Sequence, residues 1–318
     1  MSDLSAEDVA APRPLGLTGY LAAEGYLDQL RHELGAPPAL EMGRLLFAPG
    51  PARPLAWAAN VWRDPAEIPI RSIKHGASAL RAIQRNWALH SHAFHRRAAL
   101  IAAQLPSVSA KPLVFPSLPP RAPLGSWLLR DEDTIIAAAD CSSPFPNGEV
   151  RFVEDREGPP NRAYLKLWEA LTLAERWPQA GETCLDLGAS PGGWSHVLAN
   201  LGARVISVDK AELDPKVTAL PNVEVRVQSA FALEPSEVGA VDWLFSDVVC
   251  YPERLHALIG KWLSSGLCRN AVCTVKFQGP TDFEAQAKFA ALPGRLVHLH
   301  HNKHELTWIA LDMGQMRA

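Results

Sequence analysis

The residues best placed to do chemistry begin at Asp186-Leu187-Gly188-Ala189-Ser190-Pro191-Gly192-Gly193-Trp194-Ser195, a glycine-rich turn that leaves an apolar run and opens a helix. Glycines in such a turn let the backbone come close to a ligand. A dinucleotide fingerprint, G-x-G-x-x-G, fits poorly because Ser190 and Pro191 occupy the middle of the stretch, and the chain has no G-x-x-x-x-G-K-[ST] phosphate loop. Asp209 ends the next apolar run, 23 residues after Asp186. That is about where nucleotide-binding α/β domains place the acid that hydrogen-bonds a ribose diol. A close-approach loop without a phosphate cradle, followed by a diol-binding acid, points to an adenosine ligand that carries no phosphates. S-adenosylmethionine answers that description: its ribose suits Asp209, and its cationic head suits Asp186 and nearby carboxylates. Two plainer readings stand beside this one. Asp209 can be a surface acid that terminates a strand, and Asp186 can serve to hold the loop backbone.

These residues need a scaffold, and from Asn161 onward the pattern describes one. Apolar runs at Thr183 to Leu187, Arg204 to Val208, Val223 to Val227, Val241 to Phe245, Ala271 to Phe277, Arg295 to Leu299 and Leu306 to Leu311 alternate with amphipathic segments such as 162–176, 194–201, 252–264 and 282–291. Such alternation predicts an α/β domain with a mostly parallel, doubly wound sheet of seven strands, whose ligands bind beyond the carboxyl ends of the strands. Upstream, residues 1–14 read as a loose tail. Residues 15–104 read as a smaller α+β module, with a strand at 17–21, a helix at 24–34, strands within 39–47 and 54–62, and a helix at 72–84. Residues 105–160 read as a Pro-rich linker with short strands, because Pro106, Pro112, Pro116, Pro119, Pro120 and Pro123 suit neither a helix nor a central strand.

The Asp-Leu-Gly-Ala-Ser-Pro-Gly-Gly-Trp-Ser loop resembles the cofactor loop of the FtsJ-type RNA ribose 2′-O-methyltransferases. The resemblance covers residues 140–311 and implies a Rossmann-like methyltransferase domain over 161–318. In that family, cofactor contacts fall on the stretch matched by Asp186, Gly188, Ser190, Pro191, Gly192, Gly193 and Trp194, on Asp209, and on Asp247. Where relatives often place an acid for the adenine after the third strand, this chain has Ser229-Ala230, and Ser229 is the expected cofactor contact there. The family works with a Lys-Asp-Lys-Glu tetrad, and each member has a match: Lys166 before the first strand, Asp247 after the fourth, Lys276 on the fifth and Glu305 at the last. Further likeness lies in Leu165-Lys166-Leu167, in Trp262 to Arg269, in the His-rich approach to Glu305 and in Ser143-Pro144-Phe145. These features point to the branch that acts on cytidine of large-subunit ribosomal RNA. That branch carries a ferredoxin-like module and a further RNA-binding domain before the catalytic one. Residues 15–95 match the first in length, while the stretch after His95 is short for the second.

The implied reaction is an in-line displacement, in which the protein positions the acceptor oxygen and manages its proton. Lys276 is then the base or the acceptor-orienting residue, Asp247 and Lys166 its electrostatic partners, and Glu305 a positioner of the acceptor. Taken singly, each of these residues reads better as a solvated charge; it is the four together, in order and beside the glycine loop, that point to catalysis. Other chemistries lack their marks. Cys250 and Cys273 have no Pro-Cys context for base C5 methylation, and Ser246-Asp247-Val248-Val249 is not the Asn/Asp-Pro-Pro-Tyr/Phe loop of amine methylation. The five cysteines form no C-x-x-C pair and read as reduced, mostly buried thiols. The histidines at 90, 92, 95, 298, 300, 301 and 304 read as solvated or RNA-facing rather than as metal ligands, and no metal is required.

The chain has 318 residues, 47% hydrophobic and 20% charged, which excludes wholesale disorder and coiled-coil classes and suits two domains or one large one. No apolar run reaches membrane-spanning length, so a soluble cytoplasmic protein is the default. Net charge is −3, yet no acid occurs between Glu67 and Asp131, while Arg71, Lys74, Arg81, Arg85, Arg96, Arg97, Lys111, Arg121 and Arg130 all fall there. That basic segment, 71–130, is the expected contact for RNA. The rival class is a non-catalytic RNA-binding or ribosome-assembly protein that retains the methyltransferase fold.

Overall fold

The computed structural model describes residues 11–108 and 111–313. The chain divides into two compact units, one built from residues up to Pro112 together with Pro119–Arg151, the other from Leu113–Leu118 together with Phe152 onward. Of the tail expected over 1–14, residues 1–10 lie outside the described residues. Arg13–Pro14 is strand β1, paired with Ala66 and Glu67.

In the first unit, β1 is followed by β2 (Thr18–Ala22), β3 (Leu40–Met42), β4 (Leu45–Ala48), β5 (Ala58–Arg63), β6 (Ala66–Pro69), β7 (Trp87–Leu89), β8 (Gly125–Asp131), β9 (Thr134–Ala138) and β10 (Asp140–Cys141). Helices α1 (Leu27–Leu34), α2 (Ile73–Ile83) and α3 (His95–Ala102) lie between them. Two five-stranded sheets result, in the orders β1-β6-β9-β8-β7 and β10-β5-β2-β4-β3. Helix α2 begins where expected because the Ser72 side chain accepts from the His75 N–H, a standard N-cap.

The linker expectation for 105–160 needs correction. Strands β8 and β9 are the middle of a sheet, not a tether. Their side chains alternate between two cores: Trp127, Leu129 and Ile135 pack with Ile68, Leu80 and Ile101, while Leu128 and Ile136 pack with Leu21, Phe47 and Trp62. The period of two is that of a strand buried on both faces. The module therefore does not close at residue 104. In the sheet containing β2, the order β5-β2-β4-β3 with antiparallel neighbours is that of the expected ferredoxin-like arrangement, α1 joining β2 to β3 across β4, but no helix joins β4 to β5.

The second unit runs α4 (Tyr164–Leu173), β11 (Thr183–Leu187), α5 (Gly193–Asn200), β12 (Arg204–Asp209), α6 (Pro215–Thr218), β13 (Val223–Val227), α7 (Pro235–Val238), β14 (Val241–Ser246), α8 (Pro252–Ser265), β15 (Cys268–Lys276), α9 (Phe283–Ala290), β16 (Arg295–Val297) and β17 (Glu305–Ala310). Its seven-stranded sheet has the order β13-β12-β11-β14-β15-β17-β16. The five strands β11 to β15 pair in parallel, and β17 is antiparallel to both β15 and β16. The mostly parallel α/β sheet expected from the alternation is therefore present. After β11 the chain winds outward through β12 and β13, then returns to β14 on the other side of β11. The carboxyl ends of β11 and β14 thus flank the point where strand order reverses, the usual ligand crevice of such sheets.

Candidate active site

On the β11–β12 side the site is made mostly of backbone. The Gly188 N–H donates to Val208 O (2.9 Å), which turns the loop off β11. Gly188 has φ +80°, and a Cβ there would stand 2.6 Å from Val248 Cβ, so only glycine lets the loop lie against the residue that follows Asp247. Gly192, at φ +112°, caps α5. The Asp209 carboxylate fastens the loop from outside: Oδ2 accepts the Ser190 N–H (3.0 Å) and Oδ1 accepts the Ala211 N–H (2.9 Å). Asp209 is half-buried, and each oxygen keeps a lone pair for a hydroxyl. The Ser190 hydroxyl donates to Glu212 O (2.9 Å), and the Asp214 N–H donates to Pro191 O. Ser229, half-buried, follows the neighbouring strand β13.

Two residues of the expected cofactor set point inward. Asp186 is fully buried and accepts the Ser195 hydroxyl at 2.6 Å, with Ser195 Oγ also 2.7 Å from Ser207 Oγ; burial pushes its carboxyl up to about 7. The Trp194 indole is buried and donates to Ala163 O (2.9 Å), joining α5 to the start of α4. Both hold the loop by their side chains, as the plainer reading of Asp186 has it, and leave backbone atoms to face a ligand.

On the other side of the switch point the site is made of charges. Lys166, two residues into α4, donates from Nζ to Asp247 Oδ1 (2.8 Å) and Oδ2 (3.0 Å) and stands 3.1 Å from Glu305 Oε1. Lys276, the last residue of β15, donates from Nζ to Asp247 O (2.5 Å) and contacts Asp247 Oδ1 at 3.1 Å. The register of β15 and β17 puts Lys276 directly opposite Glu305. All four residues predicted as the tetrad thus meet in one cluster of two cations and two anions, a balance that tolerates partial burial. The two lysines differ in what is left over. Lys166 is engaged by both carboxylates, whereas Lys276 uses at most two of its three N–H groups and is the more exposed, at 18% against 10%. Among the described residues, Glu305 Oε2 has no hydrogen-bond partner.

One participant escapes the sequence patterns. Glu169, one turn after Lys166 on α4, is buried and accepts the His300 N–H (2.7 Å), the His301 N–H (3.0 Å) and a contact from His301 Nδ1 (2.7 Å). An acid in the middle of a helix whose other faces are apolar is the only signal the sequence carries for it. His301 is accordingly a structural contact rather than a solvated ring. Likewise His298 stands 3.0 Å from Lys303 O, with burial pulling it down to about 4, and His304 Nε2 lies 2.8 Å from Thr281 Oγ1. No group of three metal-ligating residues occurs among the described residues. All five cysteines are free, and burial raises the thiols of Cys250 and Cys273, as inert buried thiols require. No described helix is long and apolar enough to cross a membrane.

The donor set fits S-adenosylmethionine: a carboxylate with two free lone pairs at the diol position, loop backbone for the amino-acid portion, and no lysine or arginine in the loop to call for a phosphate. Comparison with known proteins agrees. Residues 159–275 match the family described as FtsJ-like methyltransferase. The chain is 32% identical over 196 residues to the Ribosomal RNA large subunit methyltransferase M of Actinobacillus pleuropneumoniae serotype 3 (strain JL03), covering 55% of this chain and 54% of that one. It is 36% identical over 147 residues to the protein of that name from Pseudomonas putida (strain KT2440), covering 44% and 41%. For that of Aromatoleum aromaticum the figures are 34% over 180 residues, with 51% and 48% covered. The chain spans about half the length of the curated relatives it matches.

Proposed function

We propose that this chain, whose residues 159–275 match the FtsJ-like methyltransferases, methylates a ribose 2′-hydroxyl of RNA, with large-subunit ribosomal RNA as its substrate. The observation that carries the reading is the closed Lys166–Asp247–Lys276–Glu305 cluster beside the glycine loop. S-adenosylmethionine, when bound, supplies an electrophilic methyl group. The chain's own residues do the rest. The spare N–H of Lys276 orients the acceptor oxygen, and Lys276 is the group beside which the departing proton must pass. Asp247 holds both ammonium groups in place, Lys166 keeps Asp247 and Glu305 apart at fixed distance, and Glu305 Oε2 accepts from the ribose hydroxyl. Such positioning is worth more to a weak nucleophile than any single contact suggests, because misplacement by about 1 Å costs roughly 100-fold in rate.

RNA contact is assigned to the basic segment 71–130, and the first unit supports a narrower version of it. Arg130 pairs with Glu67 and Asp131, and Arg97 stands 3.6 Å from Asp133, so these charges are already answered. Lys74 and Arg81 on α2, Arg85 after it and Arg96 on α3 are exposed. Reversing Arg81 and Arg85 to glutamate should weaken RNA binding and lower its logarithmic salt slope by about 0.7 to 0.9 for each lost phosphate contact.

The test is transfer of tritiated methyl to ribosomal RNA from cells lacking the protein, followed by mapping of the modified nucleotide. Stoichiometric methylation of one large-subunit cytidine is the expected result. RNA that is bound without being methylated would favour the assembly-protein reading instead.

A further inference from the structure

We infer that Glu169 is a positioning residue for the acceptor side of the tetrad, acting through the turn that delivers Glu305. The inference rests on the methyltransferase reading above and deepens it. Helix α4 presents two groups to the same strand end, one turn apart. Lys166 meets the Glu305 carboxylate directly, 3.1 Å from Oε1. Glu169 meets the chain five and four residues earlier, where its carboxylate takes the N–H groups of His300 and His301 and the ring of His301, at 2.7, 3.0 and 2.7 Å.

A carboxylate only 2% exposed needs that many donors, since a buried anion without them is costly. Those donors are consecutive backbone groups of one turn, so the charge fixes a backbone conformation and not merely a side chain. The turn is then tied forward to Glu305 itself. Asn302 donates from Nδ2 to Glu305 O (3.2 Å) and Thr307 Oγ1 (3.1 Å), and the Lys303 N–H reaches Glu305 Oε1 at 3.3 Å. Glu169 and the Glu305 carboxylate are thus joined through one short turn, by hydrogen bonds at its two ends and the peptide chain between them. With Glu169 in place, Glu305 has one position. Without it, the turn before β17 loses its anchor on α4 while Lys166 alone pulls on the carboxylate.

The substitution Glu169→Gln keeps shape and removes charge. Its amide can accept from one backbone N–H but faces the other with a donor. We expect single-turnover methyl transfer to slow by about 10-fold to 100-fold, with the S-adenosylmethionine dissociation constant within about 2-fold of the parent, because the glycine loop is untouched. A role confined to structural support would give the same loss in any background. A role exercised through Glu305 would not: with Glu305→Gln already present, adding Glu169→Gln should slow transfer by less than about 2-fold more. His301→Ala, which removes only the ring contact, gives a milder variant should Glu169→Gln fold poorly, and its smaller loss should vanish in the same background. Amide exchange supplies the readout that does not depend on activity. The N–H groups of His300 and His301 should exchange at least about 10-fold faster in Glu169→Gln while those of α4 keep their protection. Losses that multiply across the two positions, or His300 and His301 amides as protected as in the parent, would overturn the assignment. If the parent chain transfers no methyl group to RNA, the functional reading fails, and the exchange measurement still decides whether Glu169 holds the turn.

Discussion

The two halves of the seven-stranded sheet are built on different principles. On the β11–β12 side, the proposed cofactor loop and its acid span the 24 residues from Asp186 to Asp209, held by short backbone hydrogen bonds and one fastening carboxylate. On the β14–β17 side, four charged side chains come together from helix α4 and three strand ends. Lys166 and Asp247 lie 81 residues apart in sequence and their side chains 2.8 Å apart in space. A local backbone cradle makes binding depend on a motif that folds as a unit. A cluster gathered from distant elements makes chemistry depend on the whole sheet. Binding and transfer should therefore respond separately to substitution.

Lys276→Ala is the hardest test of that separation. Methyl transfer should fall by about 100-fold to 10,000-fold, while calorimetry finds the S-adenosylmethionine dissociation constant nearly unchanged. If binding fell in step with transfer, the two halves would be one site.

Asp209→Ala should do the reverse. The affinity for S-adenosylmethionine should drop by about 1 to 3 kcal/mol, with the rate at saturating cofactor within a few-fold of the parent. An unchanged dissociation constant would move the ribose subsite elsewhere.

A pH-dependent effect distinguishes the buried acid of the loop from the half-buried Asp209. Asp186 holds its proton up to about pH 7 in the folded chain, whereas an unfolded aspartate loses it near pH 3.9. Between those values the folded state binds the extra proton, so the stability Asp186 contributes declines as pH rises through that window and is flat above it. Asp186→Asn cannot titrate. Urea unfolding from pH 4 to 8.5 should therefore show the variant gaining on the parent up to about pH 7 and holding constant beyond. A pH-independent difference would mean that the carboxylate is ionised throughout.

The least effect is expected where the halves are joined. Trp194→Phe removes the indole N–H that reaches Ala163 O, at a cost of about 1 kcal/mol. Both cofactor affinity and transfer rate should shift by a few-fold together, the one substitution that moves them in step.

What could be read from sequence follows the same division. The runs from Thr183 to Leu187 and from Val223 to Val227 coincide with β11 and β13, and Ser72 marks the start of α2, because periodicity and caps are local signals. The glycine loop was equally legible. The tetrad was not legible from spacing, since nothing local links Lys166 to Glu305; only the resemblance to a family tied them together. Glu169 was hidden for the same reason, its partners lying more than a hundred residues downstream. The first unit misled in another way. Six prolines between 106 and 123 advertise a linker, yet β8 and β9 follow at once and fill the sheet centre. Composition over a window averaged the two.

The most direct measurement concerns where the methyl group goes. The lysine-centred cluster proposed as the catalytic site suits a hydroxyl acceptor, and a methyl on the ribose 2′ oxygen blocks the attack on the neighbouring phosphodiester that alkaline hydrolysis needs. Labelled RNA treated with alkali should yield a resistant dinucleotide carrying the label, and an acceptor with a 2′-deoxy sugar at the target position should take up none. Label on a free base after acid hydrolysis, or transfer to the deoxy acceptor, would contradict the assignment of the tetrad to a ribose hydroxyl.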